Sequence, residues 1–293
     1  MSQKQYTGPM RFAHRGVVQA APENTMGAFQ AAVERGYEGI EVDVQLSKDG
    51  EVILCHDANF TRMTMGHPTG FTNGRIREMD WQDICKVELP FANHLLPEEL
   101  PPWSENEFMA ILPYRVMGIE PNSDYVAALE RDPRMTHLSR FVDFDEWFAT
   151  VEQDVTIEIE VKASGLMPRL LEIISNSPNA HRYIVFSSSM HMMEIQQACR
   201  ELGKPKGLRL GANIRVLNDQ FKQMIPQMDL FEVGLNDKRF TADDVKWLND
   251  HGVEVLSNLG DYPEWWEKMC KMNVLGFKTN YPGAFTRWWE QTH

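Results

Sequence analysis

The 293-residue chain has no run of roughly 18 apolar residues, which excludes a conventional membrane-spanning helix. Its first residues, MSQKQYTGPM, carry no apolar signal segment, and that predicts a cytoplasmic protein. Cysteine is scarce: Cys55, Cys85, Cys199 and Cys270 lie far apart and form no CxxC pair. They read as reduced thiols, not as a disulfide framework or a zinc site. Positive charge is in deficit, with 29 Lys and Arg against 42 Asp and Glu and a net charge of −13. Such a field disfavours nucleic acid and anionic membrane surfaces as partners. It also means that an anionic substrate needs local cations or a divalent metal. No GxGxxG follows the first β-rich run, so a dinucleotide-binding open sheet lacks its fingerprint.

What the sequence does contain is a recurring unit: a short β-rich run, a polar turn, then a helical stretch. Eight runs carry the strand signal, at 11–15, 39–46, 156–162, 183–188, 207–212, 230–235, 253–258 and 275–280. Helical spacing fills most of the gaps, as in NTMGAFQAAVERG and TADDVKWLNDHG, each closed by glycine. Eight βα units in one chain of this size predict a single domain, 1–293, folded as a (β/α)8 TIM barrel. Two features depart from the repeat. EVILCHD (51–57) follows the turn SKDG and predicts a hairpin extension of the second strand. Residues 58 to about 140 then hold no clean βα pair, are proline-rich around Pro90, Pro97, Pro101 and Pro102, and predict a short helix at 122–132. This stretch reads as an insertion before the third barrel strand, at the C-terminal mouth. Trp81, Trp103 and Phe108 within it read as its own core, or as a lipid-facing lining. Of the pairs Trp265–Trp266 and Trp288–Trp289, one ring each is expected against the barrel.

The polar residues at strand ends carry the chemistry. Alternation puts Glu41 and Asp43 on one face of their strand, and Glu158, Glu160 and Lys162 on one face of theirs. Carboxylates crowded at neighbouring strand ends repel and desolvate badly when left alone, and a divalent cation resolves this. Oxygen ligands suit Mg²⁺, Ca²⁺ or Mn²⁺ better than Zn²⁺. His14 and His56 end the first strand and the hairpin strand, so both face that mouth as a candidate general acid and base. Arg15 is a candidate phosphate ligand, and Gly16 permits close backbone approach. In PENT (22–25), Asn24 or Thr25 is expected to cap the following helix. Taken singly, each residue has an ordinary structural reading. Together they place seven chemistry-bearing side chains at one end of one barrel.

The ordered set HRG (14–16), PENT (22–25), GYEGIEVDVQLSKDG (36–50) and VILCHD (52–57) resembles the glycerophosphodiester phosphodiesterase family. EVK (160–162), FSSS (186–189) and TNYP (279–282) resemble its later motifs more loosely. The resemblance implies a TIM barrel that cleaves a small-molecule glycerophosphodiester to sn-glycerol 3-phosphate and an alcohol. By position it implies Glu41, Asp43 and Glu160 as ligands of one divalent cation, and His14 and His56 as the acid–base pair. It likewise implies Arg15 and Lys162 as phosphate-binding cations. Glu158 is an added carboxylate, expected behind Lys162. The sequence departs from the family pattern at Asn280, where Asp is usual, and at Leu256, where Trp is usual. HLSRFVDFDEWF (137–148) replaces a Pro-Thr-Leu-Glu-Glu stretch. Two other readings stay open: the same chemistry on a lysophospholipid or sugar-phosphate diester, and a phosphodiester-binding module without turnover. The presence of both histidines favours the enzyme.

Overall fold

The computed structural model describes residues 6–64, 74–89, 96, 98–100, 137–235 and 240–293. Nine strands follow in chain order: β1 (Met10–His14), β2 (Gly39–Leu46), β3 (Val52–Leu54), β4 (Thr156–Val161), β5 (Tyr183–Phe186), β6 (Arg209–Ile214), β7 (Glu232–Leu235), β8 (Glu254–Asn258) and β9 (Gly276–Thr279). All but β3 run parallel, in the order β1-β9-β8-β7-β6-β5-β4-β2, and β1 pairs with β2 to close the ring. This is the eight-stranded parallel barrel expected from the repeat. The fifth of the eight runs, at 207–212, begins two residues later than its hydrophobicity suggests, at Arg209 of β6, because Gly207 turns the backbone at φ +89°.

Alternation along each strand divides two environments. Ile40, Val42 and Val44 of β2, and Ile157, Ile159 and Val161 of β4, join the apolar layer beneath the helices. Glu41, Asp43 and Glu158 are buried without belonging to that layer, because they point into the barrel. Close approach inside the ring needs small residues: a Cβ on Gly39 would lie 2.3 Å from the Phe12 ring, and one on Gly211 would lie 2.8 Å from Glu232 Cγ.

The helices bury their apolar stripes on the outside of the barrel. Those next to the site or carrying its loops are α1 (Met26–Glu34), α2 (Thr61–Thr64), α3 (Trp81–Ile84) and α4 (Phe141–Phe148). Further round come α5 (Met167–Asn176), α6 (Ser189–Leu202), α7 (Asp219–Met224), α8 (Ala242–Asp250), α9 (Pro263–Lys271) and α10 (Pro282–Thr292). Thr25 is the N-cap of α1, its side chain accepting from Ala28 N–H, and Gly36 at φ +70° ends the turn that follows. In α4, Phe141, Phe144 and Phe148 recur at helical spacing, and Phe141 and Phe148 both pack on Tyr183 of β5. Each such buried ring contributes about 1.5–3 kcal/mol. Trp265 and Trp266 of α9 are both buried, unlike the expected single ring, because Trp265 Nε1–H donates to Ser257 Oγ at 2.7 Å at the end of β8. Among the described residues no helix is long and apolar enough to cross a membrane.

The hairpin extension is present. β3 runs antiparallel to β2 with Leu46 opposite Val52, across a turn that Gly50 makes at φ +86°. From there the chain builds a second small core of Ile53, Cys55, Phe60, Met63, Ile76, Ile84, Val87, Leu89 and Leu138, with Trp81 packed against it. The proposed helix at 122–132, with Trp103 and Phe108, lies outside the described residues.

Candidate active site

Strand register brings the acidic residues together. Glu41 of β2 lies beside His14 on one side and Glu158 on the other, and Asp43 lies beside Glu160. One carboxylate oxygen each from Glu41, Asp43 and Glu160 lies within 4.8 Å of the others. Glu41 Oε1 is buried and has no hydrogen-bond partner among the described residues. Burial, with Asp43 and then Glu160 nearby, pushes the Glu41 carboxyl well above the usual range. Three convergent carboxylates with an unsatisfied oxygen fit an oxygen-ligated divalent cation such as Mg²⁺, Ca²⁺ or Mn²⁺.

Two cations lean on this cluster. Lys162 Nζ is 2.9 Å from Glu160 and 3.3 Å from Asp43, and Arg15 Nε is 3.2 Å from Asp43. Burial alone would raise the Asp43 carboxyl, but Lys162 and Arg15 outweigh it and hold it below the usual carboxylate range. Arg15 sits at φ +60°, a left-handed backbone that costs a non-glycine residue energy. It is fixed there by its own N–H donating to Glu41 Oε2 at 3.1 Å and its C=O accepting from Asn24 N–H at 3.0 Å. Gly16 follows at φ +85°, and a Cβ there would lie 2.6 Å from that of Ala28.

Asn24 does something the capping reading missed. Thr25 takes the cap, while the Asn24 side chain donates to Asp43 Oδ2 at 2.9 Å and accepts from Asp43 N–H at 3.0 Å. The PENT motif is therefore a carboxylate holder as well as a helix start. Glu23 is fully buried and takes Arg62 through two bonds, at 2.8 and 2.7 Å, and Arg15 at 2.9 Å. Arg62 Nε also donates to Asp57 Oδ2 at 2.6 Å. Of this second charged layer, Glu23 and Asp57 fall within the motifs PENT and VILCHD, and Arg62 falls within none.

The two histidines occupy different settings. His14 ends β1 and is buried, with Nε2 3.8 Å from Glu41 Oε2. Burial, then the neighbouring Arg15, takes its pKa down to about 3. Its Nδ1 lies 2.8 Å from Asn280 Oδ1 at the end of β9, which the closed ring brings beside β1. His56 lies two residues beyond the end of β3 and is about one third exposed, with Nδ1 2.6 Å from Asp57 Oδ1. Burial would raise the Asp57 carboxyl, but its bonds to His56 and Arg62 hold it below its ordinary value.

Glu158 departs from its expected place behind Lys162. Its Oε1 takes Lys278 Nζ at 2.8 Å deeper in the barrel, where Glu232 is also buried. Burial would lower the Lys278 ammonium, but Glu158 and Glu232 raise it above its ordinary value. Lys162 is instead partnered by Glu160 and Asp43, so β4 splits its two acids between the mouth and the interior.

A family model described as glycerophosphoryl diester phosphodiesterase matches residues 14–284. A glycerophosphodiester phosphodiesterase of Caldanaerobacter subterraneus is 37% identical over 91 residues, 30% of this chain and 35% of that protein. One of Bacillus altitudinis is 53% identical over 88 residues, 30% of this chain and 32% of that protein. The matched stretch thus spans about a third of those relatives' length. The fold is shared with a putative glycerophosphodiester phosphodiesterase of Galdieria sulphuraria, at TM-score 0.70, 16% identity and coverage of 98% of this chain and 100% of that one. A phosphodiesterase of Oleispira antarctica, solved in complex with the product sn-glycerol-3-phosphate, gives TM-score 0.70 and 16% identity over 96% of this chain and 97% of that one. Because the model's match runs from the first strand's histidine to the last helix, the chain belongs to the glycerophosphoryl diester phosphodiesterase family.

Proposed function

We propose that this chain hydrolyses a glycerophosphodiester to sn-glycerol 3-phosphate and an alcohol. The observation that carries the reading is the meeting, at one barrel mouth, of two histidines in opposed settings around a three-carboxylate cluster flanked by Arg15 and Lys162. His14 is buried and neutral, with Nδ1 engaged by Asn280, so Nε2 is the atom left to accept a proton. His56 is held by Asp57 Oδ1 through Nδ1 at 2.6 Å, which orients the ring and leaves Nε2 free for the donor's role we assign it. His14 Nε2 takes the proton of the attacking hydroxyl, either water's or the neighbouring glycerol hydroxyl's. The new O–P bond forms as the ester bond to the departing alcohol breaks, and His56 protonates the leaving oxygen. Attack by water gives sn-glycerol 3-phosphate directly, whereas attack by the glycerol hydroxyl gives a cyclic phosphate that water then opens, with the two histidines exchanging roles. Arg15 and Lys162 shift from their carboxylate partners toward the substrate phosphate. Glu41, Asp43 and Glu160 would hold a divalent cation, which would supply neutralisation of the phosphoryl charge.

The test is release of sn-glycerol 3-phosphate from a panel of glycerophosphodiesters, by EDTA-treated protein with Mg²⁺, Ca²⁺ or Mn²⁺ restored. Metal-restored release that is lost in His14→Ala is the expected result. Folded protein that releases nothing with any of the three cations sinks the proposal.

A further inference from the structure

Asp261 lies outside every motif that the site reading uses, yet it is fully buried in the short connection between β8 and α9. It accepts three hydrogen bonds: from Thr279 Oγ1–H, from Asn280 N–H at 3.2 Å, and from Asn280 Nδ2–H at 2.8 Å. Gln19 Nε2–H holds the backbone carbonyl of Asn280 at 2.7 Å. The side-chain amide of Asn280 has one donor end and one acceptor end. An ionised Asp261 accepts only, so it consumes the donor end, and the carbonyl end is left for His14 Nδ1 at 2.8 Å. A carbonyl oxygen cannot donate, so Nδ1 must carry the proton and Nε2 must carry the lone pair.

We propose that Asp261 and Asn280 are positioning residues that fix His14 in the Nδ1–H tautomer by the ordered chain Asp261, Asn280, His14. The proposal rests on the assignment of His14 as proton acceptor. Both residues are buried and act through the imidazole. The chain has a definite polarity, and the polarity can be reversed and restored without changing the shape of any side chain. In Asp261→Asn the new amide keeps its Oδ1 acceptor for Thr279 and the Asn280 N–H, but turns an NH₂ toward the Asn280 NH₂. The clash is relieved when the Asn280 amide flips, which presents a donor to His14 and moves the imidazole proton to Nε2. In the double variant Asp261→Asn with Asn280→Asp, the amide at 261 donates to the carboxylate at 280, and that carboxylate accepts from His14 Nδ1–H. The original polarity returns.

The experiment measures kcat and KM for glycerophosphodiester cleavage, thermal midpoints, and the tautomer of His14 by nitrogen-15 NMR, in the wild type, Asp261→Asn and the double variant. Expected are a loss in kcat on the order of 100-fold in Asp261→Asn, with KM changed less than about threefold, and recovery of most of that loss in the double variant. His14 is expected as Nδ1–H, then Nε2–H, then Nδ1–H across the three proteins. A purely structural Asp261 would show a kcat that follows the thermal midpoint, with no tautomer change. Wild-type kcat in Asp261→Asn, or no recovery in the double variant, overturns the proposal. If the wild type cleaves no glycerophosphodiester, the functional reading falls. The NMR series then still decides the relay: an unchanged tautomer in Asp261→Asn refutes it.

Discussion

Glu41→Gln should make the metal-free protein more stable while removing its response to divalent cations. Oxygens of Glu41, Asp43 and Glu160 lie within 4.8 Å of one another. At that separation and an effective dielectric of about 20, each ionised pair repels by about 3.5 kcal/mol. Arg15 and Lys162 offset two of the three negative charges and leave one unopposed. Glutamine keeps the shape and removes that charge. With the cations' offset included, the gain is about 2 kcal/mol, or about 4 °C in Tm for a chain of this size. The sign also sets a pH dependence. Because the folded-state pKa of Glu41 is raised, the folded wild type holds a proton that the unfolded chain releases. The advantage of the variant is therefore small near the unfolded pKa of about 4.3, grows as pH rises toward the folded value, and is constant above it. In the wild type, cation at about one hundred times its Kd stabilises by about 2.7 kcal/mol, or about 5 °C. In Glu41→Gln this increment should largely vanish. Thermal melts at pH 8 in EDTA, and with Mg²⁺, Ca²⁺ or Mn²⁺ in excess, measure both effects. A wild type with no cation response refutes the reasoning, as does a variant that melts below wild type in EDTA yet gains the full increment.

His56→Ala should lower turnover of an alkyl glycerophosphodiester by about 100-fold or more, yet barely affect a diester with a nitrophenolate leaving group, which departs without a proton; equal losses on both would remove His56 from the acid role. Lys278→Met strands Glu158 and Glu232 in the barrel and should cost about 3–5 kcal/mol at pH 8. The deficit should shrink toward pH 5, because burial and then the neighbouring Glu158 raise the Glu232 carboxyl so that it takes up a proton more readily in the folded than in the unfolded chain, and thermal melts at the two pH values check the trend.

The barrel was legible because its signals are local. Alternation marks each strand within four to eight residues, and β2 was read to its ends, at Gly39–Leu46. The acid cluster was legible for the same reason, since two of its members sit two apart on β2. Roles that depend on contacts between distant segments were not. Asn24 has the composition of a helix cap, and only the packing of its loop on β2 shows that it holds Asp43. Arg62 carries no motif and is placed by the small core that anchors α2 under the hairpin. Glu158 and Glu160 share a strand face, but two residues of rise along β4 set them at different depths, one against Lys278 and the other against Lys162.

Closing the ring explains why the most consequential unseen residues lie at the far end of the chain. The N-terminal block supplies His14, Glu41, Asp43 and His56 within fewer than fifty residues, and it carries most of the site's charge. Charge does not specify which nitrogen of His14 carries the lone pair. That depends on one hydrogen bond from a residue 266 positions away, delivered because β9 pairs with β1 in register, Thr279 beside Ala13. The family resemblance leads to the expectation of Asp at 280, a carboxylate that would accept from His14 directly. Asn280 can do the same only if something holds its amide the right way round, and Asp261 is the group in contact with the amide's donor end. On the proposed relay, the departure in the last motif and the buried acid after β8 have a common explanation: a carboxylate one hydrogen-bonded group removed from the imidazole orients the amide between them.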